Sequence, residues 1–184
     1  PRTLSFCAGS TTSRYAPLSS ETLDVFPDDF WSVEDPTTAT GRRLHVTNDT
    51  PWLGWMPGNF QSAFLDLSAL DGFGINASLF QRFDAAIAPT PSGPDTAKTA
   101  PAGVELWALP ADAAPVRIPF EATLTDDGET VLLAPMLPLR ARTAHIMLVR
   151  SSQNDAKGGC LQPSSATRAL LERTIDTTLP TEQR

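Results

Sequence analysis

The chain is poor in the residues that most often do chemistry. Among 184 residues there are two histidines, two cysteines and one tyrosine. No GxSxG run is present, so the nucleophile elbow of the α/β-hydrolases is missing. HExxH, P-loop and GxGxxG motifs are absent as well. His45 and His145 stand far apart in sequence, without metal-ligand spacing to each other or to a cysteine pair. A zinc site and a self-contained Ser/His/Asp triad are therefore not expected. His45, in Arg43-Leu44-His45-Val46, reads as a loop histidine, and His145 as a strand histidine on the face opposite Ile146 and Leu148. Lysine and arginine together number 14 against 21 acidic residues, a net charge of −7. That balance excludes nucleic acid and anionic membranes as natural partners, because both need a basic footprint. No apolar run reaches the roughly 20 residues of a membrane span.

Proline, by contrast, is abundant at 17 residues. Prolines at segment boundaries favour short strands and rigid loops over long helices. With 41% hydrophobic residues the chain has enough apolar surface for a folded core. Pro1 is not an initiator residue, so the sequence reads as a mature or trimmed product.

Residues 1–62 show no sustained period and carry turn pairs such as Asp35-Pro36 and Thr40-Gly41. They also hold Phe26, Phe30, Trp31, Trp52 and Trp55. These residues are read as an ordered arm whose Phe26, Phe30, Trp31 and Trp52 pack onto the following domain. A short helix is expected over 63–74. Period-two alternation then predicts strands over 75–83, 104–109, 116–124, 130–133 and 144–149. Asp127-Gly128 between two alternating runs is a hairpin signal. A proline-rich loop covers 89–101. Ser164 or Ser165 caps a short helix over 166–175, and residues 177–184 form a polar tail. The fold expected is all-β: an antiparallel sandwich over 63–176, with the long irregular arm before it and the short helix at its end.

Few residues suggest a binding role. Trp31, Trp52 and Trp55 are candidate binding residues. Trp52 and Trp55 lie among Pro51, Gly54, Pro57 and Gly58, where an exposed pair would make a sugar- or surface-binding platform; core and anchoring roles are the competing reading. Asp24, Asp28, Asp29, Glu34 and Asp35 crowd the arm. No cofactor is expected, with calcium on these oxygens the one weak possibility. Asn48-Asp49-Thr50 and Asn76-Ala77-Ser78 match the glycosylation sequon. A disulfide between Cys7 and Cys160 is expected, two buried thiols being the alternative; it would place the chain in an oxidising compartment.

Residues 75–150 resemble the bacterial immunoglobulin-like domains of the surface-layer-protein type. The likeness rests on Leu79-Phe80-Gln81-Arg82-Phe83, on Thr125-Asp126-Asp127-Gly128-Glu129 leading to Pro135, and on Leu137-Pro138-Leu139 followed by Thr143. His145 stands where that family usually has tyrosine. Upstream, Phe26-Pro27-Asp28-Asp29-Phe30, the Asp35–Arg42 segment and Leu70-Asp71-Gly72-Phe73-Gly74 are similar to the N-terminal region of secreted bacterial lipase-like proteins. These resemblances imply an immunoglobulin-like sandwich in a non-catalytic accessory module, secreted, periplasmic or on the cell surface. Its partner would be a lipase- or esterase-type serine hydrolase domain or chain. They carry over no catalytic residue. A stand-alone carbohydrate- or surface-binding module, and one chain of a processed hydrolase, are the alternatives. The likeness lacks a final strand after the helix, and Arg184 is a residue trypsin-like proteases favour, so a longer parent polypeptide is expected.

Overall fold

The computed structural model describes residues 6–9, 11–98 and 103–172, the side chain of Trp55 excepted. The chain is mostly β-structure. The strands are β1 Thr11–Thr12, β2 Val25–Phe26, β3 Ser32–Glu34, β4 Arg42–Leu44, β5 Leu79–Arg82, β6 Val104–Leu109, β7 Val116–Arg117, β8 Phe120–Leu124, β9 Thr130–Pro135, β10 Ala144–Val149 and β11 Leu161–Gln162. Two α-helices, α1 Gly58–Asp66 and α2 Ser165–Leu171, accompany them. No helix among the described residues is long and apolar enough to cross a membrane.

Two antiparallel sheets dominate. One has the order β2-β5-β9-β8 and the other β10-β6-β7. The hairpin between β8 and β9 follows from its turn chemistry. Gly128 takes φ 71°, a left-handed value that glycine reaches without strain. Its N–H donates to the Thr125 carbonyl at 2.8 Å, while Asp127 Oδ1 accepts from the Thr125 hydroxyl and the Glu129 amide. Alternation then turns Val131 and Leu133 inward, both fully buried. They meet Phe83, Ile87 and Phe120 from their own side and Val104 and Leu106 of β6 from the other sheet. The two sheets therefore share one core. Leu161 of β11 completes it.

The segment expected as one strand over 116–124 is split, because Pro119 has no N–H to give a ladder. Before it, β7 pairs with β6; after it, β8 pairs with β9, so the chain changes sheets at Ile118–Pro119. The strand expected from residue 75 starts at Leu79. A turn closed by Ala77 N–H on the Gly74 carbonyl holds residues 74–77 out of the sheet. The helix expected over 63–74 instead spans Gly58–Asp66 and continues as one 3-10 turn, Leu67–Ala69. Pro57 sits at its N-cap, where its carbonyl accepts from Phe60 and Gln61. The boundary expected after residue 62 thus falls inside α1. Helix α2 is capped by Ser164, whose hydroxyl accepts from Thr167 N–H. Residues 173–175 of the expected helix, the tail 177–184 and residues 99–101 of the proline-rich loop lie outside the described residues.

The first 70 residues do more than lie on the sheets. Phe26 does reach them: β2 pairs with β5, and its ring stacks on Phe80 at 6.4 Å. Phe30, Trp31 and Trp52 instead build a second core with Val46, Leu53, Phe64 and Leu65. Its rings meet edge to face in a row, Phe30–Trp31 at 5.0 Å, Trp31–Trp52 at 5.7 Å and Trp52–Phe64 at 5.4 Å, the geometry that ring quadrupoles favour.

The ends of the fold are tied together. Strand β1 pairs in parallel with β11, Thr11 with Leu161. A disulfide joins Cys7 to Cys160, with Cα atoms 6.4 Å apart. Gly9 passes so close to the Cys160 carbonyl that a Cβ would collide with it. Asp155, nearly fully buried, organises the approach: Oδ1 accepts from the amides of Lys157 and Gly159, and Oδ2 from the Thr11 hydroxyl.

Candidate interaction face

Strand alternation puts Val104, Leu106 and Ala108 of β6 on the core side and Glu105 and Trp107 on the outer side. The register pairs Trp107 with Ile146 and Glu105 with Leu148 of β10, and Trp107 with Arg117 of β7. The outer face of the three-stranded sheet thus collects Glu105, Trp107, Arg117, Ile146 and Leu148, with Arg150 at its end.

Glu105 is the hub of this face. Only 2% of it is exposed. Its Oε1 accepts from Arg150 Nε, and its Oε2 accepts from Trp107 Nε1 at 2.7 Å and from Arg117 Nε at 3.3 Å. The Arg117 guanidinium also lies over the Trp107 ring, 4.7 Å from its centroid. Hydrogen bonding from Arg150 holds the Glu105 carboxyl below its usual range, against the opposing effect of desolvation. The Arg150 guanidinium is correspondingly raised. A carboxylate so committed neither donates nor takes up a proton near neutral pH. This cluster orders a surface; it is not acid–base machinery.

A second polar group lies in the N-terminal region. Tyr15, Asp24, Asp28 and Trp31 line a crevice about as wide as one water molecule. Burial, and then the charge of Asp28, push the Tyr15 hydroxyl upward. Burial likewise raises Asp28, against the hydrogen bonds from Phe30 N–H and Tyr15. Asp24 Oδ2 accepts from Ala16 N–H at 3.1 Å. Asp24 Oδ1 and Trp31 Nε1 are buried without a protein partner among the described residues. The crevice is too narrow for an organic ligand.

Of the three candidate binding tryptophans, Trp31 and Trp52 take the core role that was the competing reading. Trp52 is 1% exposed and Trp31 6%, both in the second core. Trp52 thus contributes no exposed ring to a platform. Pro51 starts a 3-10 turn, Pro51–Trp55, that turns the indole inward onto Trp31 and Phe64. The Trp55 side chain lies outside the described residues.

Two of the arm carboxylates, Asp28 and Asp35, serve local structure. Asp28 caps the 3-10 turn Asp29–Trp31. Asp35 accepts from Thr37 and from Arg43 Nε at 2.6 Å, which pulls its carboxyl down to about 2. Among the described residues no group of three or more His, Cys, Asp or Glu can hold a metal ion. His45 is exposed just after β4. His145 is half-buried on the core side of β10, its Nε2 without a partner among the described residues, and desolvation lowers its pKa. The sequon residues Asn48 and Asn76 are both exposed in turns, Asn76 outside the strand expected there.

The Glu105–Trp107–Arg117–Arg150 cluster escaped the sequence reading. Glu105-Leu106-Trp107 alternation signals a shared face, but nothing in the sequence brings Arg117 and Arg150 to it. No family model, no curated protein and no solved structure matches this chain.

Proposed function

We propose that this chain is a non-catalytic accessory module of a secreted protein, built on an immunoglobulin-like sandwich and serving a hydrolase of the lipase or esterase type. The observation that carries the reading is the strand order. An immunoglobulin constant-type domain has sheets A-B-E-D and C-F-G. The order β2-β5-β9-β8 follows A-B-E-D both in space and along the chain. Strands β6 and β10 stand in the places of C and F, with β7 as a short extra strand beside C. The shared core supports a face-to-face arrangement of the two sheets.

The disulfide supports an oxidising compartment. The link to a hydrolase rests on the resemblance of residues 26–74 to the N-terminal region of secreted lipase-like proteins. Burial of Trp52 removes half of the Trp52–Trp55 platform on which the carbohydrate-binding alternative stood.

Ester hydrolysis separates the readings. Short-chain p-nitrophenyl esters would be offered to the purified 184 residues and to the natural material, whose polypeptides are identified by intact mass. Turnover is expected only from the natural material, with a hydrolase on the same or an associated polypeptide. Turnover by the isolated chain, or natural material without a hydrolase, overturns the proposal.

A further inference from the structure

Residues 23–26 join the two cores. Leu23 packs against the second core, while Phe26 stacks on Phe80 of β5. Asp24, between them, is 5% exposed. Its carbonyl accepts from Arg82 N–H of β5 at 2.9 Å, and its Oδ2 accepts from Ala16 N–H at 3.1 Å. Trp31, 6% exposed, belongs to the second core. Its ring meets Trp52, and its carbonyl accepts from His45 N–H at 2.7 Å.

Each of these two residues keeps one buried polar atom without a protein partner among the described residues, Asp24 Oδ1 and Trp31 Nε1. Four side-chain atoms among the described residues are in that position, and two of the four belong to residues that line one crevice. Tyr15 and Asp28 line it with them. A buried carboxylate oxygen or indole N–H left unpaired is unfavourable, and folded chains rarely leave one. The two atoms are not bonded to each other, yet one accepts and the other donates.

We propose that this crevice is a binding site for one ordered water, which accepts from Trp31 Nε1 and donates to Asp24 Oδ1. The space is that of a single water. The second proton of the water is directed at the Tyr15–Asp28 pair on the same wall, which completes the three bonds usual for a buried water. A metal ion does not fit. The indole Nε1–H can only donate, so it would turn its positive end to a cation. No group of three or more His, Cys, Asp or Glu among the described residues can hold a metal either. The bridge runs from β5 through Asp24, the water and Trp31 to His45. It is a polar link between the sheets and the second core, in a place where each side alone leaves a buried group unpaired.

Water–protein nuclear Overhauser spectroscopy on the 184-residue chain tests this. The Trp31 Hε1 proton should show a direct cross-peak to water, with the sign given by a long-lived water. The Trp107 Hε1 proton, whose Nε1 is bonded to Glu105, should show none. Asp24→Leu keeps much of the bulk and removes the acceptor. It should abolish the Trp31 cross-peak, while protected Leu106 and Leu133 amides report that the sheets are folded. A crystal structure of the wild-type chain reads the same site without any variant: one water should lie within hydrogen-bonding distance of both Asp24 Oδ1 and Trp31 Nε1. A Trp31 proton silent to water, a cross-peak that survives in folded Asp24→Leu, or a crystal structure with the two atoms bonded to each other or to a metal ion overturns the proposal. None of these readings depends on an attached hydrolase.

Discussion

Trp107 and Glu105 stand two residues apart on the outer side of β6, and the indole Nε1 of one donates to the carboxylate Oε2 of the other at 2.7 Å. With Arg117 and Arg150 this makes a nearly dry carboxylate holding two cations. Glu105→Gln removes the negative charge that the two arginines share. It should cost about 1–3 kcal/mol of stability near neutral pH, less than a fully buried pair because both arginines are partly exposed. Because the folded-state pKa of Glu105 lies below its ordinary 4.5, its contribution is present above that value and is lost as pH falls through the folded pKa. Urea unfolding at several pH values should show the gap between wild type and Glu105→Gln closing in acid. An unchanged gap removes Glu105 as the source.

The Cys7–Cys160 bond closes a loop of 153 residues. In the chain-entropy description such a closure contributes roughly 5 kcal/mol. A Cys7→Ser, Cys160→Ser double variant should unfold at clearly lower urea. If the midpoint does not move, the noncovalent contacts of β1 with β11, Asp155 and Asp84 hold the ends without it.

Trp52 is the central ring of the second core. Trp52→Ala should cost about 3–5 kcal/mol. The loss should begin locally: Val46 and Leu53 amides lose exchange protection before those of Leu106 and Leu133, which belong to the other core. Simultaneous loss in both cores shows that they melt as one unit.

Asp155 fixes the turn before Cys160 through the amides of Lys157 and Gly159 and the hydroxyl of Thr11. Asp155→Ala leaves those donors without this acceptor and should cost about 1–3 kcal/mol by thermal unfolding. Lys157→Ala, which keeps the amide, should cost almost nothing.

Local pattern carried much of the β-structure. Val104–Leu109 and Ala144–Val149 are short apolar runs rich in strand-forming residues, and their limits match the expected ones. Asp127-Gly128 marked its hairpin because only a few residue types accept that turn. The disulfide was legible from two cysteines with no other role. What failed depended on context. Pro119 splits one expected strand between two sheets, which periodicity alone does not register. Trp52 among prolines and glycines is open to a platform or a packing role, and only α1 and Trp31, which enclose it, decide for packing. The Glu105 cluster needs Arg117 and Arg150 delivered from two other segments, a tertiary fact with no sequence spacing to announce it.

The pairing of Thr11 with Leu161 sets an order of events. A chain made or exported from its N-terminus has β1 available long before β11 exists. The hairpin of β8 and β9 can form as soon as it emerges, being local in sequence. Strand β1, the Gly9 approach to Cys160 and the Thr11–Asp155 bond cannot. Until residue 161 is out, the beginning of the molecule can meet only the segment 81–84, where Asp84 N–H donates to the Thr12 carbonyl and Arg14 N–H to the Arg82 carbonyl. Its final shape is reached only when nearly all of the described chain is free to meet it.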